Sequence, residues 1–268
     1  MTPLRIAGIG VCAAGIPDWA AARSFLRGES RWQPAPLPKL DVPLLPATER
    51  RRTNAASRLA INVAAQAVAG IAPAELGMLA SVFATGDGDG EVLAGTLRAL
   101  ADDPTAMSPT LFHNSVLNAP AGYWSIAVGA RAPSTTVCAG AGTFAAGLLE
   151  ASIQVITQDK PVLLVASDLP FPPVLASFGI TGEAFGCAIL LAPQGDDRQT
   201  KYGTLATTFA PRVAHAGATA IPAELAAHFA GNPAAEALPL LACIARDAPL
   251  AASLRYLHDA CVDVDYRP

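Results

Sequence analysis

The 268-residue chain lacks several things, and each absence removes a class of function. None of its cysteines, at 12, 138, 187, 243 and 261, belongs to a C-x-x-C pair, so the usual spacing of zinc sites and redox dithiols is missing. Most of them sit in apolar runs, the pattern of free buried thiols in a reducing cytoplasm. No basic run exceeds Arg50-Arg51-Arg52 and the formal net charge is −4, which argues against nucleic acid and against an anionic membrane surface. The opening M-T-P-L-R-I has no basic region followed by a long apolar stretch, so no signal peptide is expected. The longest apolar runs fall short of the ~20 residues that span a bilayer. Charge itself is scarce, at 15% of residues against 52% hydrophobic. A chain of this size buries roughly 70–75% of its unfolded surface. So low a charged fraction suggests that a partner covers part of the apolar remainder, although abundant alanine inflates the count.

What is present is organised around residues 133–150, P-S-T-T-V-C-A-G-A-G-T-F-A-A-G-L-L-E. Thr135, Thr136 and Val137 are β-branched and suit a pleated strand. Gly140 and Gly142 supply the freedom that a sharp reversal needs. From Thr143 the spacing is helical, with Phe144, Gly147, Leu148 and Ala151 on one face. A tight turn between strand and helix is where α/β acyltransferases present a nucleophile, beside a helix N-terminus whose dipole favours a thiolate. This turn carries Cys138, Ala139, Gly140, Ala141 and Gly142, with no serine, histidine or acid next to the cysteine.

Residues 4–11 read as an apolar strand, and Asp18 can cap a helix over 19–27. Prolines at 34, 36, 38, 43 and 46 impose an extended surface loop. Residues 48–70 read as one long helix with Leu59, Val63 and Ala67 on its apolar face, 78–85 as a buried strand and 92–101 as a helix. The stretch from Ser108 reads as a loop that becomes helical near Ser115. Further strands are expected over 161–167, 184–192 and 202–209. Continuous apolar strands are typical of a sheet covered on both faces. Their alternation with helices predicts a layered α/β fold with a mostly parallel central sheet. After Pro211, short helical pieces are expected over 221–230 and 234–247, and C-V-D-V-D-Y alternates like one last strand.

In order and spacing these motifs resemble the N-terminal half of β-ketoacyl synthases, which have the thiolase fold. L-R-I-A-G-I-G-V looks like their first strand, and R-R-T-N-A-A-S-R-L-A-I-N-V-A-A like their arginine-led helix. S-P-T-L-F-H-N-S-V-L-N-A-P-A-G, followed by W-S-I-A-V-G-A-R-A-P-S, matches their S-P-x-x-x-x-x-x-x-x-N-x-x-A-G and G-x-x-x-P-S frame without a gap up to Ser134. E-A-F-G-C-A-I-L-L-A-P resembles the strand that closes their first half. The likeness covers residues 3–193. It implies a thiolase-like layered α/β fold, with residues 1–195 as a complete N-terminal half and 196–268 as an abbreviated remainder packed on the same core. More narrowly, the chain resembles the short β-ketoacyl synthase-like proteins of aryl-polyene pigment clusters. Those resemble chain-length factors, the inactive partners of a true ketosynthase.

The departures bear on chemistry. A ketosynthase elbow reads T-A-C-S-S-G. With Gly142 as the matching glycine, Ala139 stands where the cysteine belongs and Cys138 lies one residue early. On a strand such a slip turns a side chain to the other face, away from a substrate channel. The family also uses two histidines from its second half to promote decarboxylation and stabilise the enolate. No G-T-x-T-x-x-N-D motif is present, and only His215-Ala-Gly-Ala-Thr-Ala echoes the family's H-x-x-G-A-A, with its glycine displaced by one. The resemblance therefore implies no catalytic residue in this chain. It places Leu111 and Phe112 where ketosynthases cap the partner's acyl tunnel and limit chain length by excluded volume. It makes Pro133, Ser134, Thr135, Thr136 and Val137 the strand that pairs across a two-fold axis. His113 reads as a solvated or capping residue, and the G-D-G-D-G-E of Asp87, Asp89 and Glu91 is too short for a calcium loop. No metal and no cofactor are expected.

Three functions stay open on the sequence. The first is a non-catalytic subunit that pairs with an active ketosynthase, which supplies the cysteine and both histidines, and shapes the tunnel for a polyene chain on acyl carrier protein. The second is a divergent β-ketoacyl synthase or acyltransferase using Cys138. The third is a free-standing binding protein for a hydrophobic acyl chain.

Overall fold

The chain's computed structural model describes residues 2–103, 105, 107–196, 201–211 and 221–268. Its strands are β1 (Leu4–Ala13), β2 (Ala80–Ala84), β3 (Ser134–Val137), β4 (Val162–Asp168), β5 (Phe185–Ala192), β6 (Thr204–Pro211), β7 (Leu250–Arg255) and β8 (Ala260–Arg267). All eight share one sheet in the order β3-β2-β4-β5-β1-β6-β8-β7. Strand β2 runs parallel to both β3 and β4. Every other neighbouring pair is antiparallel. The sheet is thus mixed, which corrects the expectation of a mostly parallel one. Continuous apolar strands report helices on both faces and not strand direction; β1 and β5 are such runs and pair antiparallel.

The helices are α1 (Trp19–Arg27), α2 (Ala47–Arg52), α3 (Ala55–Ala67), α4 (Pro73–Leu76), α5 (Gly90–Asp102), α6 (Pro109–Asn114), α7 (Ala119–Val128), α8 (Thr143–Gln158), α9 (Ala223–His228) and α10 (Leu238–Arg246). Helices α3 and α7 pack on one face of the sheet, with Leu163 and Val165 of β4 turned to them. Helices α1, α8 and α10 pack on the other, against Val162, Leu164 and Ala166. This alternation is the period-two pleat of a strand buried on both sides. Strands β6 to β8 and α10 join the same sheet and the same apolar cluster as the first half.

Local chemistry explains where the elements start. Asp18 accepts the Ala21 amide at 2.8 Å and opens α1 as its spacing predicts. The long helix expected over 48–70 is instead two. Thr53 is extended, and Asn54 accepts the Ser57 amide at 2.9 Å, so a new cap restarts the helix as α3. The stretch from Ser108 is also corrected: Ser108 caps α6 with Pro109 at its first position, and a turn separates α6 from α7 where continuous helix from Ser115 was expected. Strand β2 begins at Ala80, after an exposed Met78, and β7 was not anticipated at all. Among the described residues no helix is long and apolar enough to cross a membrane.

Replacing the helix-restarting cap, Asn54→Ala, is expected to cost about 1 kcal/mol in urea denaturation with an unchanged m-value, the ordinary worth of an N-cap.

Candidate functional site

Strand β3 is the outermost of the parallel trio, and the chain leaves it at Val137, makes a single 3-10 turn over Gly140–Gly142 and enters α8. Gly140 takes a φ of 52°, a left-handed conformation that a side chain would strain. Gly142 answers a different need. A Cβ there would stand 2.1 Å from the carbonyl oxygen of Tyr256, in the turn between β7 and β8. The fully buried Thr143 pins the reversal, since its Oγ1 accepts from the Ala139 amide at 3.0 Å and donates to the Thr85 carbonyl at 3.3 Å.

Cys138 lies just past the end of β3, and its Sγ donates to the Gly86 carbonyl at 3.0 Å. Partial burial pushes this thiol above its ordinary value; a hydrogen bond with the Gly140 backbone opposes the rise, and the negative charges of Asp87 and Asp168 add to it. A nucleophilic cysteine needs positive charge beside it, so these neighbours have the wrong sign for a thiolate. The space around the turn is closed on its far side by the β7–β8 turn. That turn carries His258, two residues beyond the Tyr256 carbonyl that abuts Gly142. Sequence reasoning missed this histidine because β7 was not read as a strand. His215, which it did single out, lies outside the described residues.

A cavity of about 170 Å³ opens on the other side, between the ends of β2 and β3, the start of α5 and the turn after α6. Phe83, Leu93, Val116, Leu117 and Pro120 form its apolar wall, with Asn54, Asn114, Asp87 and Asp89 as polar members. Asp89 is occupied as the cap of α5, accepting the Glu91 and Val92 amides at 2.9 and 3.0 Å, and burial pushes its carboxyl up. Among the described residues no arginine, lysine or histidine is on the wall, so a carboxylate or phosphate gains no cationic partner from them, whereas a neutral apolar group fits. Among the described residues no cluster of three or more His, Cys, Asp or Glu side chains could hold a metal ion.

Thr136 lines this cavity and Cys138 does not. The alternation argument would put residues 136 and 138 on one face, but β3 ends between them and the turn carries the thiol to Gly86. Neither Leu111 nor Phe112 is on the wall. Leu111 is half-buried and packs toward Gly95 of α5, while Phe112 is 64% exposed and projects from α6. The wall takes Val116 and Leu117 instead, an apolar pair in the turn between two proline-marked helix starts. His113 stacks edge-on against Tyr123 at 5.4 Å, and the Asn114 amide donates to the Arg52 carbonyl at 2.9 Å, tying α6 to the end of α2.

The free edge of β3 has a definite polarity. The carbonyls of Pro133 and Val137 accept from the Ser81 and Thr85 amides, both at 3.1 Å, so the N–H and C=O groups of Ser134 and Thr136 point outward. Helices α7 and α8 flank this edge and expose Ile126, Ile153 and Ile156 to nearly half their area.

The family model for the β-ketoacyl synthase N-terminal domain matches residues 19–233. No curated protein sequence matches the chain. Among solved structures, the complex of the ketosynthase ApeO with its chain length factor ApeC from Xenorhabdus doucetiae aligns with a TM-score of 0.72 at 20% identity, over 99% of this chain and 100% of that one. The ishigamide ketosynthase/chain length factor aligns with a TM-score of 0.74 at 14% identity, over 100% and 99%. The complex of AntDE with AntF, an acyl carrier protein bound to its type II polyketide ketosynthase, aligns with a TM-score of 0.76 at 12% identity, over 99% of each chain. At these identities the likeness is one of fold, and it is the layered α/β fold of ketosynthases over the whole chain.

Because the Tyr256 carbonyl occupies the space above Gly142, Gly142→Ala is expected to destabilise the chain by roughly 2 kcal/mol or more, the scale of overpacking, read as a lowered urea midpoint.

Proposed function

Since the chain belongs to the β-ketoacyl synthase family through this N-terminal domain, we propose that it is a non-catalytic, chain-length-factor-like subunit. It pairs with an active ketosynthase in aryl-polyene or polyketide-type elongation on acyl carrier protein, which docks through the ketosynthase. The elbow is the observation that carries this reading. With Ala139 read at the nucleophile's position, the neighbouring thiol is pushed up by partial burial, donates to the Gly86 carbonyl and lies off the cavity wall. Such a turn keeps its shape and presents no activated nucleophile to a thioester. Residues 196–268 serve as the shortened second half on the same core. The free thiols suit a reducing cytoplasm.

The outward edge of β3 supports the partner. Pairing there continues the sheet into a second subunit and covers the isoleucines of α7 and α8, which water otherwise solvates. Phe112 is free to reach across such an interface, and the largely apolar cavity beside Thr136 suits a polyene. A second reading, an acyltransferase using Cys138, has one observation in its favour: the His258-bearing turn abuts the elbow. Covalent labelling of Cys138 by an electrophilic acyl mimic would distinguish it. The same cavity would also serve a free-standing acyl-chain carrier, which would bind a polyene without any partner.

Co-expression with the ketosynthase of the same cluster is expected to give a 1:1 complex in native mass spectrometry, and self-association alone would end the proposal. Thr136→Pro removes an outward N–H without touching the ladder to β2, so it is expected to abolish that complex while the chain stays folded. In the intact complex, Phe112→Ala is expected to lengthen the product; unchanged product length would free Phe112 of that role.

A further inference from the structure

The elements that bound the free edge of β3 carry almost no charge. Across α7, β3 and α8, Glu150 is the only acidic or basic residue. It is half-buried, and Ile153, one turn on and 46% exposed, shares its side of the helix. The carboxylate is held in place. Gln154 donates through Nε2 to Glu150 Oε1 at 2.7 Å and to Thr135 Oγ1 at 3.0 Å. One amide thus joins the acid to the edge strand. This orientation has a cost, because Gln154 Oε1 is buried with no partner among the described residues. Turned over, the amide would set that oxygen against the carboxylate, so the acid fixes the amide and the amide fixes the acid.

We propose that Glu150 selects the ketosynthase partner by charge: it requires an arginine or lysine among the residues that lead into the partner's own edge strand. This rests on the subunit role proposed above and names what that partner must carry. The place of the cation follows from the geometry. Helix α8 starts beyond the carboxyl end of β3 and runs back along it, as the bond from Gln154 to Thr135 records. Glu150 lies about 6 Å nearer that carboxyl end than Gln154, at ~1.5 Å per helical residue. Two strand residues span about the same length, so the acid stands level with Val137. A partner strand related by a two-fold runs antiparallel. Bonded through the outward groups of Ser134 and Thr136, it meets Val137 with its own first residues. Arg131, exposed and three residues before β3, holds the equivalent place in this chain. The requirement itself follows from desolvation. Covering the isoleucines takes Glu150 out of water too, and a bond from a neutral amide does not compensate its charge. A partner with a neutral group there pairs poorly, and one with an acid is repelled. A second copy of the chain would offer its own Arg131, so self-pairing is the competitor to be separated.

The test is the dissociation constant of the full chain with the ketosynthase of the same cluster, with native mass spectrometry for stoichiometry. Glu150→Gln keeps an acceptor for Gln154 and loses the charge. It is expected to leave the urea midpoint unchanged and to weaken the complex roughly thirtyfold or more. Glu150→Lys is expected to abolish the complex, and replacing the partner's leading cationic residue by glutamate is expected to restore it. A native complex indifferent to Glu150→Gln, or a partner with no arginine or lysine leading into its edge strand, would overturn this inference and leave the subunit role standing. Absence of any native complex would remove both. A dimer of the native chain alone, lost in Glu150→Lys, would make a second copy the occupant and overturn the choice of the ketosynthase.

Discussion

Packing of α8 along one face of the sheet is the constraint from which the rest follows. Phe144, Leu148, Ala151 and Val155 are fully buried along it, and Gly147 lets the helix lie close on Ala84 and Leu164. A helix fixed so tightly at its body has its N-terminus fixed too. The strand before it must therefore end at Val137, and the connection must turn sharply through Gly140 and Gly142. The same placement leaves β3 at the sheet's margin with a side free.

That geometry fixes the surroundings of the turn as well as the turn itself. The sharp turn from β3 into α8 includes a glycine that admits the Tyr256 carbonyl. At that turn the side chain of Ala139 is a methyl group, and the adjacent thiol lies among carboxylates. The surroundings of the turn provide shape, a largely apolar cavity on one side and an outward strand edge on the other. Such shape is what the proposed role as a partner subunit calls for.

Much of this was legible in the order of residues. The capped α1, the proline-bound loop, β4, β5 and the strand–turn–helix at residues 133–150 all announce themselves through local signals: Asp18 before Trp19, alternating or continuous apolar runs, and paired glycines. The helix break at Thr53 was less visible, because the alanine-rich pattern runs on across it and only Asn54 marks the restart. Strand β7 was invisible. L-A-A-S-L-R has weak periodicity of its own and becomes a strand by pairing with β8.

The sequence by itself determined which elements could form and which side chains stand at the strand–helix turn, since caps, glycine turns and the identity of residue 139 are properties of neighbouring residues. Only the tertiary structure decided strand direction, the cavity wall at Val116 and Leu117, and the seat of Glu150 beside β3. Each of these rests on groups brought together from distant parts of the chain, and neither hydrogen-bond direction nor burial of a charge has a signature in local order.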